Sequence, residues 1–215
     1  MKKAWIFIAL ILVSGMANSQ SFTKEERNLI LSGPETEMLR VTQVTDSTDL
    51  KILKAVSTDI NPKDKLIPVL AKRMYLAMRD PARPGVGIAA PQVGINRNII
   101  WVQRMDKPNE PFELCINPKI VWRSNLMRKG AEGCLSIPDE RGDVYRNYTI
   151  QISFYDAQGK FTEEVIEGFT AVIFQHEIDH LNGILFTERI IEQQAFQGYP
   201  IGEGVHLTLE KKVKR

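Results

Sequence analysis

Apolar residues recur at every fourth position in one stretch of the chain and predict its first clear helix. Four side chains form this stripe: Leu66, Leu70, Met74 and Met78. Residues spaced by four lie on one face of an α-helix. Asn61 and Pro62 resemble a cap followed by proline in a first turn, although Pro68 allows a later start to the regular helix.

Continuous and alternating apolar runs then predict β-structure. The predicted strands span residues 98–103, 111–122 (one strand or two), 149–155 and 160–166. Residues 156–159 (DAQG) form a turn, so the last two strands are expected to make a hairpin. Residues 50–60 fit either a first strand or an extended arm.

A second helical pattern follows the hairpin over residues 168–181. Its repeating positions are Phe169, Val172, Ile173 and His176. Asn182 and Gly183 terminate it, because glycine readily adopts the left-handed cap conformation. The order of helix, strands and helix predicts the α+β class, with antiparallel or mixed sheets packed around the C-terminal helix.

The chain begins with the pattern of a secretory signal peptide. Lys2 and Lys3 precede an apolar run over residues 4–13, and small residues follow before an expected cleavage site at Gln20. That run is too short to span a bilayer, which needs about 20 apolar residues. We therefore expect export to the periplasm or the extracellular space, or a cytoplasmic protein if the signal is not used.

These patterns divide the chain into four segments. They are a signal peptide (1–19), an N-terminal extension (20–49), a main folded domain (50–190) and a polar C-terminal tail (191–215). The tail ends in a basic cluster and is expected to be a solvated end.

Composition excludes several classes of protein. The 43% apolar and 25% charged residues argue against disorder throughout the chain. The formal charge of +2 resides in Lys2 and Lys3, so the chain after residue 19 carries 26 basic and 26 acidic residues. A neutral chain gives no electrostatic reason to expect nucleic acid or a stable membrane partner, and a monomer is the expected state.

The second predicted helix carries the first candidate chemistry. His176 and His180 are two of only three histidines in the chain, and their spacing of four places them on one helical face. Two imidazoles there can bind one metal ion, with Glu177 beside a bound water. The alternative is a pair of surface histidines on an amphipathic helix.

A catalytic metal needs a third protein ligand, for which Cys134 is the best candidate. A thiolate binds borderline and soft metal ions strongly. The alternatives are a packed core thiol or a disulfide with Cys115, which itself lies in an apolar run. His206, the remaining histidine, falls in the polar tail.

A glycine-rich stretch over residues 85–94 (GVGIAAPQVG) is the third feature. It lacks the lysine and hydroxyl residue of a phosphate-binding loop. Close backbone approach and the amide of Gln92 fit the wall of an active site.

Three motifs together resemble the signatures of peptide deformylases. They are Gly-Ile-Ala-Ala-Pro-Gln at 87–92, Glu-Gly-Cys-Leu-Ser at 132–136 and His-Glu-Ile-Asp-His at 176–180. They occur in that family's order and at similar spacing over about residues 50–189. The last motif alone is shared with many metalloproteases.

The resemblance implies a deformylase-like fold and hydrolysis of the formyl group from formyl-methionyl peptides, with release of formate. It assigns Cys134, His176 and His180 as metal ligands and Glu177 as general base. Gln92 and the backbone N–H of Leu135 would stabilise the oxyanion. Two further family residues, Glu132 and Asp179, are expected to support loops or ligands through hydrogen bonds.

The substrate's methionine needs an apolar pocket. Phe169, Val172 and Ile173 share the helical face of His176 and are candidates to line it, although plain core packing explains the same spacing. Val86 and Gly87 would form another edge that binds an extended peptide.

Two questions stay open at the level of sequence. The resemblance implies Fe²⁺, but zinc or another divalent ion also suits these ligands, and we hypothesise zinc for an exported site that faces oxidising conditions. The competing functions are an exported metallopeptidase and a non-catalytic binder of formylated peptides or metal.

Overall fold

Two antiparallel sheets and a helix that contacts both form the architecture in the computed structural model, which describes residues 21–202 and 206–211. The α-helices are α1 (Lys24–Ile30), α2 (Ser47–Leu53), α3 (Ile67–Met78), α4 (Gly168–Leu181) and α5 (Phe186–Glu192). The strands are β1 (Gly87–Ala89), β2 (Ile99–Gln103), β3 (Phe112–Arg123), β4 (Leu126–Cys134), β5 (Ile137–Asn147), β6 (Thr149–Tyr155), β7 (Phe161–Glu167), β8 (Gly198–Pro200) and β9 (Leu207–Glu210). Short 3₁₀ turns occupy Ala90–Val93 and Gln193–Ala195. The predicted α+β class is confirmed.

The first sheet has the strand order β1-β2-β3-β6-β7, and the second has β5-β4-β9-β8. The predicted hairpin is β6–β7, in which Thr149 pairs with Glu167 and Tyr155 with Phe161. The predicted strand over 111–122 is a single long strand, β3. β1 lies at the edge of the first sheet, so one side of its backbone is not paired with a strand.

Helix α4 has the bounds that its apolar spacing predicts, and it packs on the first sheet. Ile150, Ile152 and Phe154 point inward from β6 and bury their side chains against Phe174 and other residues of α4. Gly183, with φ of +69°, follows its C-terminus. This packing holds α4 against the first sheet.

Helix α3 begins at Ile67, six residues after the predicted cap at Asn61, with Pro68 in its first turn. Asn61 instead closes a local turn, because its side chain accepts a hydrogen bond from the backbone N–H of Lys63. Leu70, Met74 and Met78 of the apolar stripe are buried as expected, whereas Leu66 precedes the helix and is partly buried.

The prediction of a strand or extended arm over 50–60 is wrong. Residues 47–53 form α2, and Asp46 caps it by accepting hydrogen bonds from the backbone of Thr48 and Asp49. The helix therefore starts outside the apolar stretch that suggested a strand. Thr58 makes an isolated β-bridge with Arg97, and Ile60 is also in a bridge, but neither residue belongs to a strand.

The predicted N-terminal extension shares a core with the rest of the chain. A capping box between Thr23 and Glu26 starts α1. Phe22, Ile30 and Leu39 are buried in the cluster that contains α3. The division at residue 50 stays a prediction about domain limits. The predicted signal peptide (1–19) lies outside the described residues.

The predicted solvated tail is paired with the second sheet where it is described. β9 pairs with β4, and β8 pairs with β9. Gln193 bonds to both the backbone N–H and C=O of Tyr145 on β5. Polar composition concealed this pairing because backbone groups, rather than buried side chains, make it. Within the described ranges, no helix is long and apolar enough to cross a membrane.

Candidate active site

Helix α4 and the end of β4 bring the three predicted metal ligands together. One potential ligand atom from each of Cys134, His176 and His180 lies within 4.8 Å of the others. The two imidazole rings, four residues apart on α4, have centroids 5.0 Å apart. Cys134 Sγ lies 3.2 Å from His180 Nε2. Both cysteines are free, which excludes the disulfide alternative, and Cys115 is a buried core thiol.

The thiol of Cys134 is poised to be a thiolate. Burial acts to raise its pKa, but the charge of His180 and hydrogen bonds from both imidazoles outweigh burial and lower the pKa to about 5. A thiolate, rather than a thiol, binds metal ions. Ligand set and protonation state therefore both fit a divalent cation.

Glu132 fixes the orientation of the first imidazole. Its Oε2 lies 2.9 Å from His176 Nδ1, so Nδ1 acts as the donor and Nε2 is left to face the ligand cluster. Burial opposes ionisation of Glu132, but hydrogen bonds from Arg146 lower its pKa to about 2. The hydrogen bond between Glu132 and His176 is of the kind that the predicted supporting role for Glu132 requires.

Arg146 is a residue of the site that sequence reasoning missed. From β5 it donates two hydrogen bonds to Glu132, of 2.7 and 2.9 Å, and a third of 2.5 Å to Asp179. Its burial could have been inferred from its position two residues after Val144, which is buried. Alternate residues of a strand face the same side of the sheet.

Glu177 projects from α4 into the pocket and is almost fully buried. Among the described residues its Oε2 has no hydrogen-bond partner. Burial raises its pKa to about 7. A buried carboxylate with such a pKa suits proton transfer near neutral pH.

Gln92 reaches the same point from the 3₁₀ turn after β1. Its Oε1 accepts a hydrogen bond of 2.8 Å from the backbone N–H of Ala89, which directs the NH₂ group inward. Nε2 then lies 3.4 Å from Cys134 Sγ and 3.3 Å from Ser136 Oγ. The amide donor is therefore held beside the ligand cluster.

A pocket of about 660 Å³ opens onto this cluster. All five predicted substrate-binding residues line it: Val86, Gly87, Phe169, Val172 and Ile173. Leu135 also lines it. Ile173 belongs to the core cluster as well, so the alternatives of core and pocket both hold for that residue. Arg83 and Arg141 at the rim were not predicted.

A thiolate and two imidazoles that converge beside an unpartnered carboxylate, at the base of an open pocket, define a class of protein. This is the arrangement of single-metal hydrolases, which bind the ion through three side chains and keep one position open. Within that class, this chain has an α+β fold in which helix α4 carries two of the three ligands.

Comparisons with known proteins identify the family. A family model described as polypeptide deformylase matches residues 38–196. A peptide deformylase of Synechocystis is 39% identical over 164 residues, which cover 76% of this chain and 87% of that protein. A Caulobacter peptide deformylase is 38% identical over 152 residues, which cover 70% of this chain and 87% of that protein.

A solved structure agrees with these relatives. The Met-Ala-Ser-bound class I type b peptide deformylase of Acinetobacter baumannii matches with a TM-score of 0.63 at 38% identity, covering 72% of this chain and 99% of that one. The chain belongs to the polypeptide deformylase family, and it is a hydrolase with that family's activity. No comparison favours a metallopeptidase or a non-catalytic binder.

Proposed function

We propose that this enzyme removes the formyl group from formyl-methionyl peptides at a metal centre formed by Cys134, His176 and His180. The observation that carries the proposal is the carboxylate of Glu177, which is buried beside these converging ligands and whose Oε2 has no hydrogen-bond partner in the part of the chain that the structure describes. In the net reaction the formyl C–N bond is hydrolysed. Water supplies the second oxygen of formate, and the peptide gains a free amino group.

A divalent ion held by these three side chains would supply Lewis acidity, which lowers the pKa of water and polarises a carbonyl. Glu177 accepts the proton of the attacking water and delivers it to the leaving amine. Its burial supports this role, because a carboxylate whose pKa is about 7 can both take and return a proton at neutral pH.

Two donors of the chain would stabilise the developing oxyanion. Gln92 offers Nε2, which its bond to Ala89 holds toward the ligand cluster. The second donor is the backbone N–H of Leu135, assigned by family resemblance and consistent with its place on the pocket wall. Preorganised donors of this kind need no rearrangement as charge develops.

The pocket supports a methionine side chain and an extended peptide. Phe169, Val172 and Ile173 provide apolar surface next to the ligands. Gly87 is the first residue of the edge strand β1 and Val86 directly precedes it, so an extended peptide can add here as a strand. A relative from Acinetobacter baumannii was solved with Met-Ala-Ser bound, a tripeptide that begins with methionine.

Formate release from formyl-Met-Ala-Ser tests the activity, with and without a chelator. We expect release that the chelator abolishes and added metal restores, and no cleavage of unformylated Met-Ala-Ser. Cleavage between amino acids would instead support a metallopeptidase. Binding without formate release would support the non-catalytic alternative.

The identity of the ion is a separate proposal. Family resemblance favours Fe²⁺, whereas the thiolate and two imidazoles also suit Zn²⁺, which does not undergo redox chemistry. We propose zinc if the enzyme works in an oxidising compartment. Elemental analysis of protein purified from its native host would contradict this if iron dominated.

Export is proposed from residues 1–19 alone. The neutral charge of the remaining chain supports the proposal that it has no nucleic-acid or stable membrane partner, and a monomer is proposed as a separate point. Cell fractionation with N-terminal sequencing tests the first proposal, and an intact Met1 in the cytosol would overturn it. Size-exclusion chromatography with light scattering tests the monomer.

A further inference from the structure

Helix α5 lies outside the three motifs, yet it is linked to the proposed metal ligand His176 in two ways. The first is direct: the ring of Phe186, in the first turn of α5, stacks on the His176 imidazole with centroids 6.2 Å apart and planes inclined by 27°. Phe186 is buried, so this contact is fixed by packing.

The second route is a chain of charged hydrogen bonds that starts at Arg189 on α5. Arg189 binds both carboxylate oxygens of Asp179, with Nη2–Oδ1 at 2.6 Å and Nε–Oδ2 at 3.0 Å. Arg146 Nη1 shares Asp179 Oδ2, and its other two donors bind Glu132. Glu132 Oε2 in turn holds His176 Nδ1 at 2.9 Å.

The charges in this series of hydrogen bonds explain why the loss of Arg189 would affect Glu132. Two carboxylates, Glu132 and Asp179, accept hydrogen bonds from two guanidinium groups, Arg146 and Arg189. Arg189 also bonds to the exposed Glu192, and the charge of Arg123 acts on Asp179 without a hydrogen bond. Without Arg189, Arg146 is the guanidinium group that remains hydrogen-bonded to both carboxylates. Its attraction to Asp179 then competes with its two-bond contact to Glu132, because a buried carboxylate without a cation is costly.

We propose that Arg189 is a positioning residue for His176. It acts through Asp179, Arg146 and Glu132, and thereby makes helix α5 part of the support of the metal centre. This inference rests on the proposed metal site and extends it to a helix that no motif contains. Outer hydrogen-bond partners of a metal-bound histidine typically alter metal affinity by about 10- to 100-fold.

The test replaces the cation and observes the metal centre with Co²⁺, whose absorption spectrum reports ligand geometry. Arg189→Met removes the charge but keeps an apolar stem at a position whose side chain is 26% exposed. We expect an altered Co²⁺ spectrum, loss of Co²⁺ to a chelator about 10-fold faster than in the wild type, and a lower kcat with little change in KM. Arg189→Lys should recover most of these properties.

Lys54→Met is the matched control. Lys54 pairs with Glu188, which lies on α5 as Arg189 does. Lys54 has no hydrogen bond to Asp179, Arg146 or Glu132. We expect the wild-type Co²⁺ spectrum and loss rate even if its stability falls. If Arg189→Met does not fold, Arg189→Gln replaces it with the same expectations.

A folded Arg189 variant with the wild-type Co²⁺ spectrum and loss rate would overturn the proposal, even with a lowered Tm, and would leave the proposed function intact. Equal effects of Lys54→Met and Arg189→Met would also overturn it, because they would indicate a general effect of α5 stability. A wild-type protein that binds no Co²⁺ would overturn the metal centre and this inference together.

Discussion

Glycine at position 87 is required by the distance between β1 and the carboxylate of Glu177. A Cβ added to Gly87 would lie 2.5 Å from Glu177 Oε1 and 2.9 Å from Ile173 Cγ2. Ordinary contacts begin near 3.4 Å, so Gly87→Ala must move the carboxylate or the strand by about 1 Å. A misplacement of about 1 Å can cost about 100-fold in rate, which equals about 2.7 kcal/mol of activation free energy.

The expected result is a fall of about 100-fold in kcat/KM for formyl-Met-Ala-Ser. Overpacking should also lower the free energy of unfolding by about 1–3 kcal/mol, so activity must be measured well below the new Tm on protein with full metal content. Formate release provides the rate, and circular dichroism provides the folded fraction.

Gly130→Ala on β4 is the control, because its added Cβ would meet only Arg128 Cζ, at 4.0 Å. It makes the same chemical change without the close contact, and its kcat/KM should stay near the wild-type value. Folded, metal-loaded Gly87→Ala protein with more than about a tenth of wild-type kcat/KM would refute the reasoning from contact distance.

Three further predictions follow from the site and its supports. Glu177→Gln should lower kcat by about 10²- to 10⁴-fold with unchanged metal content, and a kcat within tenfold of wild type would contradict its role as base. Gln92→Leu should lower kcat by about 10²- to 10³-fold in steady-state assays; a change in KM alone would contradict the oxyanion role. Asp49→Asn should destabilise the fold by about 1.5 kcal/mol, measured by urea unfolding, because Asp49 accepts hydrogen bonds from Arg40 and from the backbone of Gln43. The bond from Arg40 lowers the pKa of Asp49 in the folded state. This stabilisation is therefore complete above the unfolded-state pKa of about 3.9 and is lost as pH falls from there through the lower folded-state pKa. A difference between wild type and variant that was undiminished from pH 7 to pH 2 would contradict the assignment.

The sequence by itself determined the features that depend on neighbours along the chain. The bounds of α4 follow from its apolar spacing and its terminating Gly183, and the hairpin β6–β7 follows from alternation on either side of a turn. The spacing of His176 and His180 placed both imidazoles on one face before any contact was known. Motif order then indicated the family, because it is a property of sequence.

Local pattern failed where an element takes its stability from distant parts of the chain. Leu53 of helix α2 is buried in a cluster with Ile137 and Val144 of β5. Phe22 and Ile30 of the extension are buried in a cluster formed by α3 and strands of the first sheet. The described tail is ordered by backbone pairing with β4, which apolar periodicity does not report.

Only the tertiary structure decided how the site is supported. Glu132 and Arg146 meet across the β4–β5 pair, and Asp179 and Arg189 approach them from two helices. In sequence Arg146 and Arg189 are ordinary charged residues, and the partners of Glu132 and Asp179 cannot be read from it. The charge of a residue follows from its type, whereas its burial and its partners depend on how strands and helices pack. These four residues can be buried because each charge is paired with an opposite charge, and only the folded structure brings the partners together.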